Sequence, residues 1–308
     1  MVDFRYHVIS LAAVLIALSV GVVLGTGAFG DPLLRDIRSN VRELEQDISD
    51  RRAQNAQLND DLQRELAFGL AAEPYLLQDR LQDQDVVVIE FAGTDGAVAD
   101  QLRAAIATAG GTVTSTIEIL DRFSLQDQVD TDALALALGS ISGDSDQLRV
   151  EAGRELGRTI ALATQGDPSE LIGLVDELQR ADFLDVEGQS QGDDGIVTQG
   201  AAVLIVGGSV DDPAFDVADL CLPMVAEAAR RDVPMLVGEP DLSTWGLVKA
   251  IREDGESRDV VASVDGIQAV AGRVAAVLGL QRAIEGQIGH YGRAEGAGDL
   301  LPPPDTEG

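Results

Sequence analysis

The distribution of apolar positions changes character three times along the chain. From Val8 to Gly30 (VISLAAVLIALSVGVVLGTGAFG) there is no charged residue. A helix of about 20 apolar residues crosses a hydrocarbon core of ~30 Å, so this run is long enough to span a membrane. From Leu34 onward the apolar residues step by three and four. From Asp85 onward short β-branched runs alternate with amphipathic ones. The three patterns predict an anchor at 8–30 behind a short tail at 1–7, a coiled-coil helix at 31–70, an α/β domain at 71–285, and a disordered acidic Gly/Pro tail at 286–308.

In the first segment Phe4, Tyr6 and Phe29 place aromatic rings near the two ends of the run, as membrane interfaces favour. A cleaved signal peptide has an apolar region of only about 7–15 residues, so an uncleaved anchor is expected, although Thr26-Gly27-Ala28 resembles a weak cleavage site. The expected orientation is a cytoplasmic N-terminus with the bulk of the chain extracytoplasmic. A long folded domain translocates largely regardless of its charge, so composition leaves this orientation open. Ala13, Ala17, Gly21 and Gly25 recur every fourth residue and lay small side chains along one face, a pattern that lets two membrane helices approach closely. Gly25 to Gly30 also matches G-x-G-x-x-G, but without the strand and βαβ context of a dinucleotide site.

The second segment opens with Asp31 as a candidate N-cap and Pro32 at the first helical position. With Leu34 at position a, the seam reads Leu34, Val41, Ile48, Asn55 and Leu62 at a, and Ile37, Leu44, Arg51, Leu58 and Glu65 at d. An a/d stripe this narrow points to self-association, and an Asn at a is a known determinant of register and dimer state. A parallel homodimer is the expectation, since both chains would enter one bilayer by the same end. Leu34 to Leu66 as a helix makes a rod of about 50 Å. The polar interruption at Arg51, Asn55 and Glu65 leaves the upper seam open to another helix.

The first residues, MVDFRYHVISLAAVLIALSVGVVLG, closely resemble the N-terminal signature of the actinobacterial MctB family of copper transport proteins, called SteB in corynebacteria. The coiled coil and α/β order that follow are similar too. This resemblance implies a cell-envelope protein, anchored by its N-terminal helix, with a part in copper transport or homeostasis. It also implies a second possibility, since related members are linked to control of septal cell-wall hydrolysis. That alternative is a dimeric scaffold that binds a cell-wall hydrolase or division protein through its coiled coil.

In the third segment Val86–Phe91, Thr112–Ile119, Ala202–Val206, Val233–Gly238 and Val260–Val264 read as strands. Helices are expected at Ala97–Ala109, Leu134–Leu138, Gln147–Ala163, Pro168–Arg180, Pro213–Arg231, Ser243–Arg252 and Gly266–Leu280. Asp185–Gln199 is polar and Gly-rich and reads as a surface loop. The alternation predicts an α/β fold with a doubly wound, mostly parallel, Rossmann-like sheet.

Charge then narrows the function. There are 22 basic and 53 acidic residues, a net charge of −31, and Lys249 is the only lysine. Such a surface repels nucleic acid and phosphate-rich partners. Asp95, Asp211, Asp212, Glu239 and Asp241 follow the strands where open α/β sheets bind ligands, and solvated loop acids are the simplest reading. The two histidines, His7 and His290, lie at the membrane edge and in the expected tail. No Ser-His-Asp arrangement is therefore anticipated, and no enzyme activity or resident cofactor. Cys221 and Met224 form C-x-x-M, a spacing that puts two sulfur atoms on one helical face and whose ligand types suit Cu(I). Buried Cys and Met are more commonly packing residues. A single helix is not a pore, so ion passage would require oligomers or partners.

Overall fold

In the computed structural model, residues 4–25, 30–188 and 196–303 are described, with the side chains of 30–36 excepted. The chain divides into two units, Met1–Ala67 and Phe68–Gly308.

The first unit holds helix α1 (Phe4–Val23) and most of helix α2 (Gly30–Leu77). In α1 the mean hydropathy is 2.2 and none of its residues is buried. One of its serine hydroxyls turns back on the helix, Ser19 Oγ donating to the Leu15 carbonyl at 2.8 Å. Of the glycines and proline expected to separate the two helices, Gly27 lies outside the described residues, while Gly30 and Pro32 fall in the next helix. Helix α2 starts at Gly30, so Pro32 sits in the first turn, where its missing N–H costs nothing. The seam residues Ile37, Val41, Leu44, Ile48, Leu58 and Leu62 are all exposed along it; the side chain of Leu34 lies outside the described ones. The polar residue at one d position is held by its own helix, Arg51 pairing with Asp47 at 3.0 Å one turn back. The helix extends past position 70 to Leu77, and its last turns belong to the second unit.

The second unit is built on seven strands: β1 (Asp85–Phe91), β2 (Thr112–Ile119), β3 (Leu184–Gly188), β4 (Ala202–Val206), β5 (Met235–Glu239), β6 (Ala262–Asp265) and β7 (His290–Tyr291). Their order is β3-β2-β1-β4-β5-β6-β7, parallel throughout except where β3 runs antiparallel to β2. Every residue of β4 and β5 is buried, which is why these strands lack polar alternation. Helices α4 (Gln128–Leu138), α5 (Ser145–Thr164), α6 (Ser169–Arg180), α7 (Ala218–Ala229) and α8 (Leu247–Glu253) supply one apolar layer; the short α9 (Gly255–Arg258) follows α8. Leu77 and Leu81 with α3 (Gly96–Thr108) and α10 (Val270–Ile284) supply the other. The end of α2 is fixed there by a largely buried, two-pronged pair: Arg273 Nε and Nη2 donate to Glu73 Oε1 and Oε2 at 2.8 and 2.9 Å.

Three expectations need correction. The polar stretch 185–199 is not all loop: its first residues form β3 at the sheet edge, where alternate side chains face water and apolar residues are not required. Residues 189–195 lie outside the described ones. Helices α7, α8 and α10 start four or five residues later than their sequence patterns suggest, because the strand-to-helix turns before them are longer. The segment from 286 is not a disordered tail, at least to Pro303; residues 304–308 lie outside the described ones.

That segment is held by polar chemistry rather than apolar content. The buried Arg252 guanidinium donates to Asp265 Oδ2 at 2.7 Å, to the Tyr291 carbonyl at 2.7 Å, and to Ser263 Oγ at 3.0 Å. Asp265 Oδ1 accepts from the Arg293 amide at 2.7 Å. Gly292 adopts φ +125°, and a Cβ there would strike the Asp265 carboxylate. His290 closes the network: its Nε2 lies 2.9 Å from the Arg258 carbonyl and its Nδ1 2.9 Å from Ser263 Oγ. A carbonyl only accepts, so Nε2 carries the proton and Nδ1 accepts from the Ser263 hydroxyl.

Burial, together with the neighbouring Arg252 and Arg258 charges, lowers the His290 pKa, against a smaller opposing effect of the Arg258 carbonyl and Asp259. A histidine with a depressed folded-state pKa gives stability that is complete above its unfolded value of ~6.5 and is lost as pH falls. Hydrogen-exchange protection at Gly292 and Gly298, whose amides are bonded to Asp299 and His290 carbonyls, is expected to fall as the pH is lowered from about 7.5 to about 5, through and below the free-imidazole value of ~6.5. In His290→Gln the same amides are expected to show no such pH step.

Candidate functional site

The sheet order places a topological switch between β1 and β4: the chain leaves β1 toward β2 on one side and returns at β4 on the other. Open α/β sheets bind ligands in the crevice beyond these strand ends. Here that space is occupied by the chain itself. The Trp245 ring stands edge-on to Phe91, with centroids 6.5 Å apart at 87°. It lies 3.6 Å from where a Gly93 Cβ would be and 3.5 Å from the equivalent point at Gly207. Its Nε1 donates to the Asp211 carbonyl at 2.8 Å, and the Asp95 amide donates to the Gly208 carbonyl at 3.4 Å across the two loops. Phe215 continues the packing, 6.4 Å from Phe91 and 6.2 Å from Phe123.

The strand-end acids have separate tasks. Asp95 caps α3, its Oδ1 accepting from the Ala97 amide at 3.0 Å. Asp241 pairs with Gln268 through two contacts of 3.1 Å. Asp211 and Asp212 are exposed, and neither is the cap of α7. Glu239 differs from all of these. It is 5% exposed, its Oε2 accepts from the Val248 amide at 2.8 Å, and its Oε1 is buried with no hydrogen-bond partner. A cavity of about 50 Å³, which Glu239 does not line, opens against Asp241, Asp265, Gly266, Gly272 and Arg293. Organic ligands occupy roughly 300–1,000 Å³, so this one holds water at most.

Cys221 and Met224 lie together on the buried face of α7, 0% and 1% exposed. They belong to the same apolar layer as Met235 and Val237 of β5. Burial first, and then the Glu239 charge, pushes the Cys221 thiol up to about 12, so the sulfur carries its proton and is a poor nucleophile. The C-x-x-M pair is therefore a core pair first. Its distinguishing feature is the orphaned carboxylate oxygen in the same layer, which sequence spacing does not reveal.

His290, assigned from sequence to a tail, lies instead within hydrogen-bond reach of Ser263. Ser263 is fully buried and already accepts from Arg252, so this Ser–His contact is structural. On α1 the residues Ala13, Ala17, Gly21 and Gly25 are exposed, and nothing lies within 4 Å of a Cβ built at Gly21 or Gly25.

These features define an α/β protein that carries an apolar N-terminal helix of membrane-spanning length and whose switch-point crevice is filled by its own aromatic side chains. The family described as "Copper transport outer membrane protein, MctB" matches residues 1–302, and the chain belongs to it. Among its relatives is the copper transporter MctB of Mycobacterium tuberculosis, 29% identical over 311 residues that cover 96% of this chain and 98% of the relative. The copper transporter MctB of Mycobacterium leprae is 30% identical over 323 residues, 98% of this chain and all of the relative.

Trp245→Ala removes the ring that fills the crevice, and large aromatic truncations of this kind cost about 3–5 kcal/mol. Chemical unfolding is expected to show that loss, with an unchanged number of strands and helices by circular dichroism.

Proposed function

We propose that the protein acts in copper transport or homeostasis in the cell envelope, as a single-pass membrane protein with a cytoplasmic N-terminus and an extracytoplasmic α/β domain. The observation that carries this reading is end-to-end family membership with relatives named copper transporters. The apolar α1 supports the anchor. The sheet supports a role outside the bilayer: its strands are covered by helices on both faces, unlike the lipid-facing strands of a barrel. A single apolar helix has no polar lining, so copper passes with the help of other chains rather than through α1 alone. The protein is non-enzymatic in this reading, because the described Ser–His contact is buried and the switch-point crevice is filled.

The exposed seam of α2 supports self-association as a parallel coiled-coil dimer, with Ala13, Ala17, Gly21 and Gly25 as the matching face of the anchor. The same seam favours a second reading, a dimeric scaffold that presents α2 to a cell-wall hydrolase or division protein. Deletion of the gene separates the two. Under the copper reading the strain changes its copper tolerance at unchanged septation; under the scaffold reading septation fails and copper tolerance is unaltered. Sedimentation equilibrium of residues 31–308 is expected to give a dimer at tens of micromolar, and a monomer would remove the coiled coil from both.

A further inference from the structure

We infer that the domain-bound end of α2 carries a second self-association surface, on which Phe68 and Tyr75 of one copy of this chain pack against the same residues of another. The inference rests on the parallel pairing proposed above and names where that pairing continues on the α/β unit.

The starting observation is an interruption of the seam. Counted on from Leu34, position a falls at Gly69, and that position is taken by the chain itself: a Cβ on Gly69 would lie 3.6 Å from the Val270 side chain. Glu73 and Leu77 follow one and two turns later on the same side, Glu73 paired with Arg273 and Leu77 buried in the core. The other side of this helix end is apolar and open. Phe68 is 75% exposed, Tyr75 83% and Leu76 45%, with Ala72 between them. Phe68, Ala72 and Tyr75 stand at i, i+4 and i+7 and so share one face. From Leu62 the stripe runs 65, 68, 72, 75, which adds one three-residue step to the heptads. An insertion of three residues overwinds a coiled coil locally without ending it.

Charge and symmetry identify the occupant as a second copy. Each chain carries a net charge of −31, so two copies approach most easily where acids are absent. Residues 66–77 (LAFGLAAEPYLL) hold a single charged side chain, Glu73, and Arg273 neutralises it on the inner side. Two parallel helices in register meet at equal residue numbers, so the Phe68–Tyr75 face of one copy meets its own equivalent, the self-complementary arrangement of a twofold dimer. Aromatic residues are also the anchors that protein interfaces favour. Area decides how much this face contributes. Two aromatic side chains bury about 300–500 Å² per copy, against roughly 800 Å² per partner in a stable interface. The face therefore extends the seam of α2 and does not replace it. Because Glu73 and Arg273 fix this helix end to its domain, contact here also sets how the two α/β units pair.

The test uses the full chain in detergent, with one cysteine introduced at a time and a short bismaleimide as cross-linker. The native Cys221 is fully buried and does not compete. Phe68→Cys and Tyr75→Cys are expected to give covalent dimers, Leu44→Cys reports on the seam, and Leu242→Cys, equally exposed in the turn after β5, is expected to stay monomeric. Sedimentation equilibrium supplies the affinity: Phe68→Asp combined with Tyr75→Asp is expected to raise the dimer dissociation constant at least tenfold, with folding checked by circular dichroism. The inference is overturned if Leu44→Cys cross-links while Phe68→Cys and Tyr75→Cys react no more than Leu242→Cys, or if the double variant dimerises as tightly as the wild type; self-association through the seam then stands. A monomeric wild-type chain that cross-links at none of these positions removes both. Cross-linking at Phe68→Cys and Tyr75→Cys but not at Leu44→Cys supports this face and removes the seam.

Discussion

Two strands with no polar face set the terms for the α/β unit. Because β4 and β5 are buried at every residue, both sides of the sheet have to be covered, and the helices divide into two apolar layers to do it. Covering both sides brings distant parts of the chain together. The layer that contains α3 and α10 also takes in Leu77 at the end of α2, and the Glu73–Arg273 pair fixes that helix end in place. A buried pair of this kind is not a large net source of stability, yet loss of either partner leaves an uncompensated charge. Its role is to specify how the helix end docks.

The same demand explains the carboxyl edge of the sheet. In many open α/β sheets the switch-point crevice admits a ligand; in this protein Trp245, Phe91 and Phe215 close it from within. Polar groups then concentrate elsewhere. One group of them, around Arg252, is fully satisfied and converts an acidic, Gly- and Pro-rich segment into an ordered edge of the sheet. The other, around Glu239, is left one partner short. Satisfied networks rigidify what they hold, and that is the structural role of His290, whereas Glu239 keeps one buried oxygen without a hydrogen-bond partner.

The first unit follows a different logic. Its apolar residues are not buried by the chain: α1 is exposed along its whole length, and the seam of α2 is exposed as well. An apolar helix of this length suits a lipid environment, and the exposed seam is the surface on which the proposed self-association rests. Two arginines along α2 pair with acids one turn back, Arg51 with Asp47 and Arg64 with Asp60 and Asp61. Such pairs support the helix from its polar side.

The amino-acid sequence by itself determined the elements whose signals are local. The charge-free run defines α1, the three-four spacing defines α2, and the apolar runs near residues 86, 112, 202, 233 and 260 define the five central strands, because period and burial are imprinted within each segment. It also singled out Cys221 and Met224 by spacing and Glu239 by its place after a strand. Only the tertiary structure decided what long-range partners decide. β3 and β7 have little apolar content of their own and exist because β2 and β6 pair with them. Trp245 reads as one aromatic in a turn until Gly93 and Gly207 meet it. Glu239 reads as a solvated acid until the fold buries it. His290 meets Ser263 and Arg258 only once Arg252 has drawn the last segment onto the sheet. In each case the deciding contact joins residues far apart in the chain, and no local pattern carries that information.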